Sequence, residues 1–488
     1  MKRTSIIRTC ISLIPVAVLV VMLAFDISIF GSDSILGASQ VSLLTAAGIC
    51  IWLSMWLFKA PWSRFEEAIK SNIGDITTAI VILFLIGAIS GTWTMSGVIP
   101  TLICYGVKII SPKFFLLTAC VICAAVSIMI GSSWTTIATI GVALLGIGKA
   151  EGFSDGLIAG AIISGAYFGD KISPLSDTTV MASSINGVPL FDHIRYMFFT
   201  TVPSIIITLV LFTVLGFTHN GTDAGDIAVY TETLESKFRI SAWLLLVPLA
   251  TGFMIAKKLP ALIVLGLSVA VAAVFAVLFQ PDLIREIGSS AAIAHGIAGG
   301  VSDAKLMLAG IIDTIYDTVA VDTGVEAVNE LVTSRGMLGM LNTVYLIICA
   351  MCFGGCLKAS GMLHHIASLI IPLARRRTGM VASTVCTGTI LNGLVSDQYL
   401  SIILTSNIYK DIYARQGYES RLLSRSVEDS ATVTSPLFPW SSCGMTQATI
   451  LGIPTLVYLP YCFFNIISPL MSMLIAALGY KIVRCKES

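Results

Sequence analysis

Residues 114 to 148 contain no Asp, Glu, Lys or Arg, and neither do residues 430 to 480. Val41 to Phe58, Ile76 to Val107, Tyr196 to Thr222, Leu259 to Pro281 and Gly336 to Leu357 are uncharged as well. A helix of about 20 apolar residues crosses the ~30 Å hydrocarbon core of a bilayer, and most of these stretches reach that length. Backbone in lipid must satisfy its own hydrogen bonds, which leaves helices or closed barrels. Barrel strands would alternate polar and apolar residues over segments of about 10, and these stretches do not alternate. With 56% hydrophobic and 12% charged residues over 488 positions, the expectation is an all-α polytopic membrane protein with about 10 to 12 crossings. The lipid bilayer is therefore its first expected partner.

The segment "MKRTSIIRTCISLIPVAVLVVMLAF" has basic residues before an apolar core, as a signal peptide does. Asp26 to Ser34 offers no small-x-small cleavage pattern, so it reads as a retained first span. Lys59, Arg64 and Lys70 follow the second span, whereas the loop between the first two carries only Asp26 and Asp33. The positive-inside rule then puts the N-terminus in the cytoplasm, and it puts the cluster Arg375, Arg376, Arg377 and the tail "KIVRCKES" there too. The 12 cysteines are scattered through apolar sequence and read as packing residues rather than metal ligands. A net charge of +1 without a basic stripe gives no sign of a nucleic-acid partner. No nucleophile with an activating base and no H-E-x-x-H helix is present, so an enzyme is not expected.

Two of the uncharged runs are too long for one crossing. Phe114 to Gly148 would extend about 52 Å as a single helix at ~1.5 Å per residue. The place for it to break is "IGSSWTT" at 130 to 136, which makes Ser132 and Ser133 candidate site residues. The run from Ser430 to Tyr480 is punctuated by "TSPLFPW", whose prolines remove donors and disfavour helix before them. Unwound backbone at membrane depth is tolerated only against protein or a watery cavity. The two halves also resemble each other. "GVPLFDHIRYMFF" at 187 to 199 matches "GIPTLVYLPYCFF" at 452 to 464 with an offset of 265, "SPL" recurs at 173 and 435, and "GSSW" is echoed by "NGLVSDQ" at 392 to 398. The expected organisation is a two-span element at 1–72, a first repeat at 73–217, connector spans and polar loops at 218–335, a second repeat at 336–480 and a cytoplasmic tail at 481–488. In the connector, Asp313, Asp317, Asp322, Glu326 and Glu330 read as acids on a solvated helix face or at a cation-collecting vestibule. Internal repeats with interrupted helices point to a transporter's midplane site.

Ionisable residues inside membrane segments are paired or functional. In "GDKISPLSDTT", Asp170 and Asp177 flank Ser173 and Pro174, with Thr178 adjoining. Pro174 breaks the helix and frees carbonyls, and carbonyl, carboxylate and hydroxyl oxygens suit a hard cation such as sodium. The other reading of the same residues is an ion pair of Lys171 with either aspartate. At the second break stand Glu428 and Asp429, with Arg425 three and four residues before them. One acid is expected to pair with Arg425 and the other to serve the site, Asp429 being favoured for the site. Asp397 and Asn392 add a buried acid and amide, either as ion ligands or as a cap or interhelical hydrogen bond. The resulting candidate cation and proton site is Ser132, Ser133, Asp170, Ser173, Asp177, Thr178, Asn392, Asp397, Glu428 and Asp429, with sodium on Asp170, Asp177 and Asp429. A carboxyl kept partly dry in such a break can hold a proton or a metal cation by turns, and alternating access of the site would give cation/proton antiport.

Taken together, "GDKISPLSDTT", "LFDHIRYMFFTT", "RGMLGMLNTV", "FGGCLKASGML", "DQYLSIIL", "SRSVEDSATVTSPLFPW" and "CGMTQATILGIPTL" resemble the NhaC family of Na+/H+ antiporters, within the ion-transporter superfamily, over about residues 75 to 475. The resemblance implies a prokaryotic inner-membrane antiporter with cytoplasmic termini. It also implies two inverted-topology repeats with re-entrant or broken helices, a homodimer, and no cofactor beyond Na+ and H+ as transported ions. The family's acidic positions fall on Asp170, Asp177, Asp397, Glu428 and Asp429. One departure is Ser441, where the family pattern after "PLFPW" has asparagine, so Ser441 is a candidate substrate contact. Similar proteins exchange small organic acids, such as malate for lactate, or amino acids. The alternative expectation is therefore an Na+/H+-coupled exchanger of that kind, with Lys171 as the cation for the organic anion rather than a tethered counter-charge.

Overall fold

The computed structural model describes residues 2–30, 36–218, 224–257, 259–296, 301–367, 369, 371–374, 376–482 and 484. Helices make up nearly all of this, and extended pairing among the described residues is confined to the bridges Val319 to Ser334 and Tyr418 to Arg484. Nine described helices are long and apolar enough to cross a membrane, or eleven if two bent pairs, Val229–Lys237 with Ala242–Met254 and Thr455–Tyr461 with Phe463–Leu478, each count as one span. Asp155–Ile172 and Gln398–Arg415 have 18 residues each but are too polar for that count. The first of them carries Asp170 and Lys171 into the interior. Arg375 and Asp33 lie outside the described residues.

Both long uncharged runs break. After the helix Phe115–Ile130, Gly131 adopts φ 72° and Ser132 is extended, and a new helix starts at Ser133. A left-handed turn of this kind is free of steric cost only for glycine. The chain then passes through a π turn at Ile137–Gly141 into Val142–Ala150. The second run opens in a π turn at Glu428–Thr432, tightens to a 3-10 turn at Ser435–Leu437 and resumes as Ser442–Leu451.

The 265-residue offset of the sequence match recurs in the backbone. Gly131 at φ 72° corresponds to Ser396 at φ 59°, Gly187 at φ 65° to Gly452 at φ 67°. Extended Ser132 corresponds to extended Asp397, each capping the helix that follows it. Ser176 and Ser441 are likewise both extended residues directly before helices, Asp177–Ile185 and Ser442–Leu451.

Close packing of the broken helices relies on missing side chains. A Cβ on Gly165 would lie 2.1 Å from the Cys120 carbonyl oxygen, and one on Gly169 2.4 Å from that of Ala124. Between them Ser127 Oγ donates to the Ala166 carbonyl at 2.6 Å. Phe115–Ile130 and Asp155–Ile172 are thereby locked backbone to backbone, and this contact sets where Asp170 and Lys171 emerge. In the connector the acids do not share one helix: Asp303–Tyr316 ends at Asp317, which is extended, and a separate short helix begins at Glu326. Asp322 instead accepts from the Gly324 amide at 2.9 Å, closing a turn.

Replacing Gly165 with Ala forces backbone apart and should cost about 1–3 kcal/mol. Gly48→Ala, at a helical position with open space around it, should be neutral or stabilising by about 0.5–1 kcal/mol. Thermal unfolding of the two variants in detergent checks the contrast.

Candidate functional site

The break at Gly131 leaves the first amides of the Ser133 helix without intrahelical partners. Asp170, at the end of Asp155–Ile172, takes up one of them: its Oδ2 accepts from Ser133 N at 3.1 Å and from Ser133 Oγ at 2.7 Å. Its Oδ1 accepts from Ser176 Oγ at 2.5 Å. Asp170 is 5% exposed, so these donors stand in for water. The Ser173 to Ser176 loop is itself stitched down, with Ser173 Oγ donating to the Ile128 carbonyl at 2.8 Å and Thr179 Oγ1 to that of Lys171 at 2.9 Å. Ser176 Oγ and Thr178 Oγ1 lie 2.9 Å apart. Ser132 caps the short helix through the Thr135 amide.

Lys171 reaches the other half of the chain. Its ammonium pairs with Asp429 and donates to Ser468 Oγ at 2.8 Å, and it lies 5.7 Å from the centre of the Phe464 ring. Asp429 also accepts from Thr200 Oγ1 at 3.0 Å, and its second oxygen lies 3.8 Å from Arg425 Nε. Lys171, Asp429, Arg425 and Glu428 are fully buried. Arg425 sits 4.8 Å from the Tyr196 ring centre, and none of its three guanidinium nitrogens has a hydrogen-bond acceptor among the described residues.

This reverses the expected division of labour at the second break. Arg425 reaches Asp429, one i to i+4 turn ahead, so Asp429 is the paired acid and Glu428 the unpaired one. The Glu428 carboxyl faces the Thr178 and Thr432 hydroxyls, within electrostatic reach of Lys171 and Asp170. Neither of its oxygens accepts a well-formed hydrogen bond among the described residues, and Thr432 Oγ1 is likewise unpaired.

Other expected site residues lie apart from this cluster. Asp177 is exposed at the first turn of its own helix, its carboxyl within electrostatic reach of Asp170. Asp397 caps Gln398–Arg415 through the Leu400 amide at 2.9 Å and accepts from Ser442 Oγ at 3.4 Å. Asn392 donates to the Ala431 carbonyl at 2.6 Å and to Thr434 Oγ1 at 3.0 Å, bracing the π turn from behind. Ser441 is a helix cap, accepting from the Gly444 amide at 3.0 Å and donating to the Ser435 carbonyl at 2.5 Å. Thr200, Thr432 and Ser468 escaped the sequence reading, and Ser176, between the two aspartates of the first motif, was not among its candidate site residues. Ser468 did carry a signal, because "SPL" occurs a third time at 468 to 470. No three His, Cys, Asp or Glu side chains converge as a metal cage among the described residues, so a cation here would be held by one or two carboxylates with hydroxyls.

The sequence matches the profile of the Na+/H+ antiporter family over residues 4–187 and 165–480. The chain belongs to the Na+/H+ antiporter family. It is 36% identical to the malate-2H+/Na+-lactate antiporter of Bacillus subtilis, covering 83% of this chain and 82% of that protein. It is 34% identical to the Na+/H+ antiporter NhaC of Alkalihalophilus pseudofirmus, covering 86% of each. It is 33% identical to the arginine/ornithine antiporter ArcD of Halobacterium salinarum over 96% of this chain and 92% of that one. Both helix breaks and every residue of the buried cluster fall within the span matched to the antiporter family.

Lys171→Met should leave Asp429 buried without its main counter-charge, at a cost of about 3–5 kcal/mol. The double variant Lys171→Met/Asp429→Asn should recover most of that loss. Melting temperatures of the purified wild type, single and double variants decide whether the pair behaves as a unit.

Proposed function

We propose that this multi-pass membrane protein exchanges Na+ for H+ by alternating access, with the two ions competing at Asp170 and Glu428. The observation that carries the reading is a charge imbalance away from water. Three buried acids, Asp170, Glu428 and Asp429, face two buried bases, Lys171 and Arg425, which leaves one negative charge uncompensated. An isolated charge in a low-dielectric interior is costly. One sodium ion or one proton removes the imbalance, and both together overshoot it. The occupants therefore exclude each other, which is the condition for exchange rather than cotransport.

The side chains divide the work. Asp170, held by Ser133 and Ser176, offers a prearranged carboxylate. Glu428, with Thr178 and Thr432 at hand, is the group free to take a proton or complete a cation's oxygen shell. Lys171 holds Asp429 out of the competition and ties the Ser173 break to the Glu428 break, so that the two broken segments respond together when either ion leaves.

A second reading rests on Arg425. A buried guanidinium whose N–H groups lack acceptors suits a carboxylate, and relatives named for malate, lactate, arginine and ornithine exchange molecules that bear one. Lys171, by contrast, is already committed to Asp429. Under this reading, organic-acid or amino-acid exchange would share the same acids for coupling.

In proteoliposomes with an imposed pH gradient, Asp170→Asn and Glu428→Gln should each reduce labelled sodium uptake to that of protein-free vesicles while remaining folded. Wild-type uptake by Asp170→Asn removes that residue from the mechanism. Acceleration of labelled malate efflux by external lactate, lost on Arg425→Gln, would favour the second reading over the first.

A further inference from the structure

Away from the buried acids, at the end of the molecule where the last helix stops, Arg376, Arg377, Arg484, Gln416 and Tyr418 line an open hollow of about 520 Å³. No acidic side chain is among them. The arginines come from two parts of the chain. Arg376 and Arg377 begin the helix Arg377–Val395, so its unpaired first amides open at the same end. Arg484 is held by backbone pairing with Tyr418, and its guanidinium lies 5.5 Å from that ring's centre. Arg377 donates to the Ala477 carbonyl at 3.0 Å and fills the space beside Gly479, where a Cβ would lie 2.4 Å from its guanidinium. Its Nε has no acceptor among the described residues. Three guanidinium groups and a helix start, with no carboxylate among the described residues of the lining, favour a phosphate.

The neighbouring surface says which phosphate. Leu470, Leu474 and Leu478 follow one another at four-residue spacing on Phe463–Leu478 and are 54%, 51% and 72% exposed. They form a stripe of about 12 Å at ~1.5 Å per residue, ending directly at Gly479 and Arg377. Tyr480, 53% exposed, stands at the same end, the position an aromatic ring takes at a membrane interface. A soluble phosphate would use the arginines and ignore the leucines. A phospholipid uses both, its acyl chain along the stripe and its headgroup in the hollow.

We propose that this hollow binds the phosphate of an anionic phospholipid whose acyl chain lies along Leu470, Leu474 and Leu478. The bound lipid would then bridge the end of the last helix and the start of Arg377–Val395, the helix that carries Asn392 to the second break.

The full-length protein in nanodiscs of phosphatidylcholine with increasing phosphatidylglycerol tests this by thermal shift and by native mass spectrometry of retained lipid. The wild type should be stabilised by phosphatidylglycerol and retain it. In Arg376→Gln/Arg484→Gln, which spares the brace at Arg377, lipid affinity should fall about thirtyfold, from roughly 1 kcal/mol for each arginine. The double variant should melt with the wild type in pure phosphatidylcholine, and Leu474→Gln/Leu478→Gln should weaken retention with the arginines intact. Equal phosphatidylglycerol response in wild type and arginine variant overturns the proposal. So does stabilisation by millimolar inorganic phosphate without a lipid response, which would assign the hollow to a soluble anion.

Discussion

Lys171 and Asp429 meet at the centre of the protein, and neither would be tolerated there alone. Desolvating either ion costs several kcal/mol, and the mutual attraction repays this only when the geometry is good and the remaining donors and acceptors are used. Ser468 and Thr200 use them here. Each of the four groups comes from a different helix, so the ion pair is a tie among four segments. The glycines at 165 and 169, which let two helices touch at their backbones, bring Lys171 to the height where that tie can form. Glu428 stands in contrast, as the acid beside this arrangement whose oxygens accept no well-formed hydrogen bond among the described residues.

The repeated backbone geometry goes further than the matched residues. At the offset of 265, Ser133 corresponds to Gln398 and Asp170 to Ser435, and the contact between them is repeated: Ser133 Oγ donates to Asp170 at 2.7 Å, and Ser435 Oγ donates to Gln398 Oε1 at 3.3 Å. The charge is not repeated. Where the first half has a carboxylate accepting from serine, the second has a serine donating to an amide. A buried acid of the second half stands instead at Glu428, in a π turn with no counterpart at that offset.

Much of this was legible from order and composition. Uncharged runs gave the helices, excess length gave the two breaks, and Gly131 and Pro174 marked where the chain would turn. Glu428 and Asp429 were a different matter. Their assignment depends on which of them lies one turn beyond Arg425 and on which reaches Lys171, 258 residues away in sequence. Thr200 and Ser468 contact their partners across 229 and 297 residues, and single hydroxyls in apolar helices carry no pattern that would announce such meetings. Asp177 differs again: its neighbourhood in the motif is that of a site residue, and the structure leaves its side chain exposed at a helix start, within electrostatic reach of Asp170.

The two breaks also differ in one small respect. Both turn through a left-handed residue, but the first uses Gly131 and the second uses Ser396. Glycine adopts that conformation freely, whereas a residue with a Cβ gives up roughly 1–2 kcal/mol to hold it. Ser396 is kept in place in part by the Ser442 amide, which donates to its carbonyl at 2.8 Å. The first elbow is thus relaxed and the second cocked, so backbone tension is stored at only one of these two turns.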